Sequence, residues 1–153
     1  MKATRKHFFS LIELLVVIGI IILLAGITLA GMSFAARRAD QAKTIAIMTE
    51  FETALEAFKS DYGYYPVQKT AGDVDFSQDA WKLFVNTDTN KRNRPYMEGI
   101  TPTDKLEDAY GNPFQYEYPN SDSSRNITKF ALWSKGPNGD KDTKDDICNW
   151  KQN

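Results

Sequence analysis

Cysteine and histidine are nearly missing from this chain, with one of each in 153 residues. A single Cys rules out an internal disulfide framework and cysteine-based zinc clusters, and a single His removes His-rich metal sites and most triad chemistry. An excess of positive charge is also lacking: Lys+Arg 19 against Asp+Glu 20 leaves a formal charge of -1, unlike the basic surface of a nucleic-acid binder. No proline precedes Pro66, so nothing in the first part of the chain forces a helix to kink. No nucleophile with a neighbouring base, phosphate loop or metal-activated water site can be assembled, which leaves an enzyme reading without residues. The length suits one domain with a modest core.

What is present is unevenly distributed. From Leu14 to Ala36 the chain carries no charge, and roughly 20 apolar residues span a bilayer as a helix. Lys2, Arg5 and Lys6 precede the run, and Arg37 and Arg38 follow it. The basic head favours a cytoplasmic N-terminus. No second such run follows, so residues 37–153 are expected on the exported side, the periplasm in a bacterium. A secretory signal peptide is the competing reading, with Ser33-Phe34-Ala35 offering cleavage after Ala35. Two features oppose it. The run exceeds the usual apolar region of about 7 to 15 residues, and Glu13 stands at its leading edge. A carboxylate there costs on the order of 2.5 to 3.5 kcal/mol and requires a partner.

Helical periodicity continues past the run, with Ile45, Met48, Phe51, Leu55 and Phe58 spaced by three and four. The spacing predicts one long helix from about Ser10 to Ser60, its second half laying this stripe on a small domain. Gly63 and Pro66 stop it. After a loop, residues 75–85 read as a short helix with Trp81 and Phe84 inward. The polar stretch 86–94, with Lys91, Arg92 and Arg94, reads as a solvated loop. A turn at Asp108-Ala109-Tyr110-Gly111-Asn112-Pro113 then leads into an aromatic strand to Tyr118. A second strand, Lys129 to Ser134, completes a hairpin.

The tail from Ser134 to Trp150 combines turn formers with Asp140, Asp142, Asp145 and Asp146. Calcium takes six to eight hard oxygen ligands, carbonyls included, and a glycine-rich loop can bend to present them. The EF-hand pattern fails at Lys144 and at the position after it. By composition, a calcium site and a solvated acidic loop are both open. Cys148 beside this loop reads as a small, partly buried side chain.

The segment Lys6-His7-Phe8-Phe9-Ser10-Leu11-Ile12-Glu13-Leu14-Leu15-Val16-Val17 resembles the class III signal of type IV pilins and type II secretion pseudopilins. The resemblance implies that prepilin peptidase cuts between Phe8 and Phe9 and methylates the new amine of Phe9. Phe8 departs from the glycine usual before the cut. Loss of residues 1–8 removes Lys2, Arg5 and Lys6 and takes the formal charge from -1 to -4. Glu13 would then be relieved of its burial cost by the Phe9 amine of a neighbouring subunit, a pairing that fixes axial register in a filament.

Two further stretches narrow the resemblance. Asp108 to Tyr116 is similar to the D-P-W-G-N-P-Y-Q-Y signature of the major pseudopilin, and Arg94-Pro95-Tyr96-Met97 to the G-P-Y-L before it. The tail resembles the family's calcium loop, which implies ligation by the Lys135 backbone carbonyl, Asn138, Asp145 and Asp146, with Asp140 and Asp142 as further candidates. Asn138 stands where the family has Asp, and one less charge weakens a calcium site. The missing cysteine pair favours a pseudopilin over a type IV or competence pilin. The resemblance implies an α+β pilin-like fold: a leader (1–8), a transmembrane and assembly helix (9–36), and a periplasmic domain (37–153) with a β-hairpin packed on the helix and a structural Ca2+ loop. It also implies a major pseudopilus subunit in the bacterial inner membrane, whose partners are further copies of itself, minor pseudopilins, prepilin peptidase and the inner-membrane assembly platform. An exported calcium-binding module released by signal peptidase is the alternative of a different class.

Overall fold

The computed structural model describes residues 10–125, 127–141 and 143–150, without the side chains of 27–33 and 124. The chain divides into two units, residues 1–39 and 40–153, and α1 (Leu11–Tyr62) contributes to each. In the first unit the apolar side chains are exposed around the helix, with Leu11 at 84% and Ile22 at 70%. Among the described residues no helix is long and apolar enough to cross a membrane; residues 27–33 of the uncharged run contribute no described side chains. The proposed cut at Phe8-Phe9 and the Phe9 amine lie outside the described residues.

In the second unit α1 buries Met48, Phe51, Ala54, Leu55 and Phe58, as the three-four spacing requires. Ile45 departs from the expectation and is 40% exposed, while Thr44 is fully buried in its place. Thr44, Met48, Phe51, Leu55 and Phe58 follow one helical stripe at spacings of four and three, and Ile45 lies one residue off it. The hydroxyls of Thr44, Thr49 and Thr53 each donate to the carbonyl four residues back at 2.9 Å, so these residues are satisfied within the helix. Gly63 ends it at φ +84°, its N–H donating to the Lys59 carbonyl at 2.7 Å.

The sheet has four antiparallel strands in chain order: β1 (Gln68–Asp73), β2 (Gln115–Tyr118), β3 (Ala131–Ser134) and β4 (Ile147–Cys148). The expected hairpin is β2–β3, with Tyr116 opposite Leu132. Two outer strands were not foreseen. β1 (QKTAGD) lacks an apolar alternation and is held at the edge by β2. β4 has only two residues and exists because Cys148 and Ile147 pair with Trp133 and Ser134.

One face of the sheet meets α1 through an aromatic core. Phe51 contacts Phe76, Trp81 and Phe84 with centroids 5.5 to 6.3 Å apart, within the range of favourable edge and offset contacts. Trp81 and Phe84 are fully buried, as anticipated, although the helix there is only a 3-10 turn (Asp79–Trp81) running into α2 (Lys82–Val85). The Trp81 indole N–H donates to Gln68 Oε1 at 3.2 Å and the Tyr116 hydroxyl to the Pro66 carbonyl at 2.9 Å, so both polar tips are satisfied.

The opposite face is covered by a device that the sequence reading missed. The Arg125 guanidinium lies 4.7 Å from the Trp133 ring centre and 5.1 Å from that of Trp150, and its Nη1 donates to buried Glu117 at 2.6 Å. Ser121 donates to the same carboxylate from its N–H and its hydroxyl. Burial would push the Glu117 carboxyl up, but the hydrogen bonds from Ser121 and Arg125 outweigh it and hold it below its ordinary value.

The stretch 86–94 also differs from a solvated loop. Asn90 is buried and donates to the Arg94 carbonyl at 2.7 Å. Arg92 Nε donates to Asp61 at 2.5 Å and Lys91 Nζ to the Asp61 carbonyl at 2.5 Å. Two cations are thereby placed at the C-terminal end of α1, where the helix dipole is negative. The Arg92 hydrogen bond, then that of Tyr96, holds the Asp61 carboxyl below the usual range.

Candidate functional site: the loop between β3 and β4

The loop leaves β3 at Ser134 and returns to β4 at Ile147, so two paired strands fix both of its ends. Gly136 and Gly139 adopt φ +66° and +73°, conformations that L side chains rarely take. At Gly136 the requirement is also steric, since a Cβ would stand 2.5 Å from the Asp145 carbonyl oxygen and 3.0 Å from Asp145 Oδ2. The acid-bearing return arm therefore lies directly on the Lys135–Gly136 backbone.

Hydrogen bonds link three of the predicted ligands, Asn138, Asp145 and Asp146, within this loop. Asn138 Nδ2 donates to Asp145 Oδ1 at 3.0 Å, and Asn138 Oδ1 accepts the Asp140 N–H at 2.8 Å. The Thr143 hydroxyl donates to Asp146 Oδ1 at 2.8 Å and lies 3.3 Å from Asn138 Nδ2. Asn138 and the buried Asp146 thus meet at Thr143, a residue to which the sequence assigned no role, and Asp145 is joined to them through Asn138. Hydrogen bonding from Thr143, supported by Asn138, holds the Asp145 carboxyl below the usual range. Asp146 is buried, while Asn138 and Asp140 are exposed. Asp142 lies outside the described residues. Among the described residues no group of three His, Cys, Asp or Glu gathers to hold a metal ion, so a cation here would rely on carbonyl and amide oxygens beside two carboxylates. That donor set, all hard oxygens on a bendable loop, fits calcium.

The loop is anchored from outside by residues of the Asp108 turn. Asp108 is buried, and its Oδ1 accepts the N–H groups of Tyr110 and Asn112 at 2.9 and 2.8 Å. Its Oδ2 accepts the Ser134 hydroxyl at 2.6 Å. Asp at the first and Gly111 at the fourth position mark a turn in the sequence. Nothing in that pattern discloses that Asp108 reaches β3.

Glu13, the other predicted site residue, sits in the first turn of α1, its N–H donating to the Ser10 carbonyl at 3.0 Å. Cys148 is buried in β4 against Ala131 and Trp133.

A family model described as type II secretion system (T2SS), protein G, matches residues 32–150. Among curated proteins, type II secretion system core protein G of Vibrio cholerae serotype O1 is 30% identical over 98% of this chain and 96% of its own length. The protein of that name from Aeromonas hydrophila matches with the same identity and coverage, 30% over 98% and 96%. Among solved structures, the major pseudopilin from the type 2 secretion system of enterohaemorrhagic Escherichia coli shares the fold. Its TM-score is 0.52 at 22% identity, covering 77% of this chain and 92% of that one.

Proposed function

Because the chain belongs to the type II secretion system protein G family, we propose that it is the major repeating subunit of a secretion pseudopilus, a structural and not an enzymatic component. The observation that carries this reading is similarity along nearly the whole chain, leader helix included, to relatives named core protein G. Prepilin peptidase cuts between Phe8 and Phe9 and methylates Phe9. The uncharged run to Ala36 holds the subunit in the inner membrane, with the N-terminus cytoplasmic and the second unit periplasmic. The exposed apolar side chains from Leu11 to Leu24 support a non-aqueous surrounding for this part of α1. Filament growth buries Glu13 against the Phe9 amine of a neighbouring copy, and a subunit docked in another register leaves the carboxylate unpaired. Minor pseudopilins and the inner-membrane platform act with it in assembly.

The loop between β3 and β4 holds a structural calcium ion through the Lys135 carbonyl, Asn138, Asp145 and Asp146, with Asp140 and Asp142 adding negative charge. When bound, the ion neutralises the acids and cross-links a loop that no disulfide closes.

Intact-mass and N-terminal peptide analysis of the protein extracted from native membranes tests the pathway. A methylated Phe9 terminus is expected; a chain beginning at Ala36 overturns the reading in favour of an ordinary exported domain.

A further inference from the structure

Both backbone polar groups of Gly136 are held by side chains outside the loop. Its N–H donates to Ser134 Oγ at 3.0 Å, and its carbonyl accepts from Asn112 Nδ2 at 2.8 Å. Ser134 is fully buried, and its hydroxyl proton is directed at Asp108 Oδ2, 2.6 Å away. That leaves the Ser134 lone pairs to face the Gly136 N–H. The Gly136 N–H and the Lys135 carbonyl belong to one planar trans peptide, so holding the N–H on Ser134 aims the Lys135 oxygen in the opposite direction within that plane, away from Ser134. On its other flank the Asp108 turn reaches α1: the Ala109 N–H donates to Thr44 Oγ1 at 3.1 Å, and Thr44 donates to the Asp40 carbonyl at 2.9 Å.

We propose that Asp108 is the positioning residue of the calcium loop, orienting the Lys135 carbonyl through Ser134 and tying ion binding to the Asp40–Thr44 turn of α1. The inference rests on the calcium reading above. Asp108 touches no ion itself. It fixes the polarity of Ser134, as outer-shell partners fix the orientation of ligands at metal sites. In Asp108→Asn, one oxygen that now only accepts becomes an N–H donor, and it must oppose either the Ser134 hydroxyl or the N–H groups of Tyr110 and Asn112. Ser134→Ala removes the acceptor for Gly136 N–H outright. Because the two act in series, the double variant is expected to bind no worse than the weaker single one.

The test is calcium titration of the full-length protein in detergent, reading the melting temperature at each free calcium concentration. The wild type is expected to gain stability with calcium, and Asp108→Asn and Ser134→Ala to raise the calcium midpoint by about 10- to 100-fold. An exposed control, Asp79→Asn, whose side chain is 90% exposed, should leave the midpoint unchanged. Variants that melt lower in chelator yet keep the wild-type midpoint would reduce Asp108 to a structural role and overturn the inference alone. A wild type indifferent to calcium removes the calcium reading and the inference with it. Should neither variant fold, hydrogen exchange of the wild type decides. Calcium-induced protection reaching residues 108–112 and 40–44 supports the coupling, and protection confined to 135–146 refutes it.

Discussion

Truncating Arg125 removes the guanidinium that joins Trp133, on the far face of the sheet, to Trp150. In Arg125→Ala, Glu117, whose side chain is 4% exposed, keeps its two Ser121 hydrogen bonds but loses its cation. Breaking a buried ion pair costs about 3–5 kcal/mol, and the surviving Ser121 donors place this case near the lower bound. Lost stacking on Trp133 and Trp150 adds about 0.5–1 kcal/mol. The expected loss is therefore about 3–4 kcal/mol, or a fall in Tm on the order of 10 °C for a unit of this size. Tryptophan fluorescence is the suitable probe, because both rings that bracket Arg125 should become mobile as the clamp opens. Arg125→Lys keeps the charge without the planar stack and should lose about half as much. The double variant Glu117→Gln/Arg125→Met removes the stranded charge and should regain about 2 kcal/mol relative to Arg125→Ala. A fall in Tm below about 2 °C for Arg125→Ala, or a double variant as unstable as the sum of its singles, would refute the reasoning.

Three further outcomes are expected. Gly136→Ala forces an L side chain to φ +66° and onto the Asp145 carbonyl; the backbone term alone is about 1–2 kcal/mol, so thermal melting should show a larger loss and calcium should no longer raise the Tm. Glu13→Ala subunits should reach the membrane but fail to assemble or support secretion, and wild-type secretion by this variant would discard the register argument. In acid, Glu117 and Asp61 are held below their ordinary values of 4.5 and 3.8, so their stabilisation is complete above those values and is lost as pH falls through the folded-state values. Glu52 opposes them. Burial, ahead of weaker relief from Asn149 and Lys129, raises its carboxyl above 4.5, so its ionised form costs stability at neutral pH and that cost vanishes on acidification. Melting from pH 7 downward should therefore stay nearly level to about pH 5 and drop steeply below about pH 4; a Tm that rises into that range would contradict the sign.

The long helix, its stop at Gly63, the aromatic hairpin and the acidic loop were legible along the chain because each depends on neighbours a few residues apart. A repeat of three and four, a proline-free run, an alternating strand and a Gly-rich acidic tail report local propensity and hydropathy, and these survive without knowledge of the fold. The same locality placed Asn138, Asp140, Asp145 and Asp146 in one loop. What could not be read was everything joined across sequence. β1 and β4 are strands only because β2 and β3 offer them hydrogen bonds. Ile45 yields its place to Thr44, whose hydroxyl accepts the Ala109 N–H from a turn 65 residues further along the chain. Lys91 and Arg92 looked solvated until the C-terminus of α1 was set beside them. Asp108, Ser134, Arg125 and Glu117 carried only the signature of polar turn and strand residues. Burial made them structural, since a polar group removed from water must find its partner wherever the chain brings one. That pairing is decided by tertiary structure.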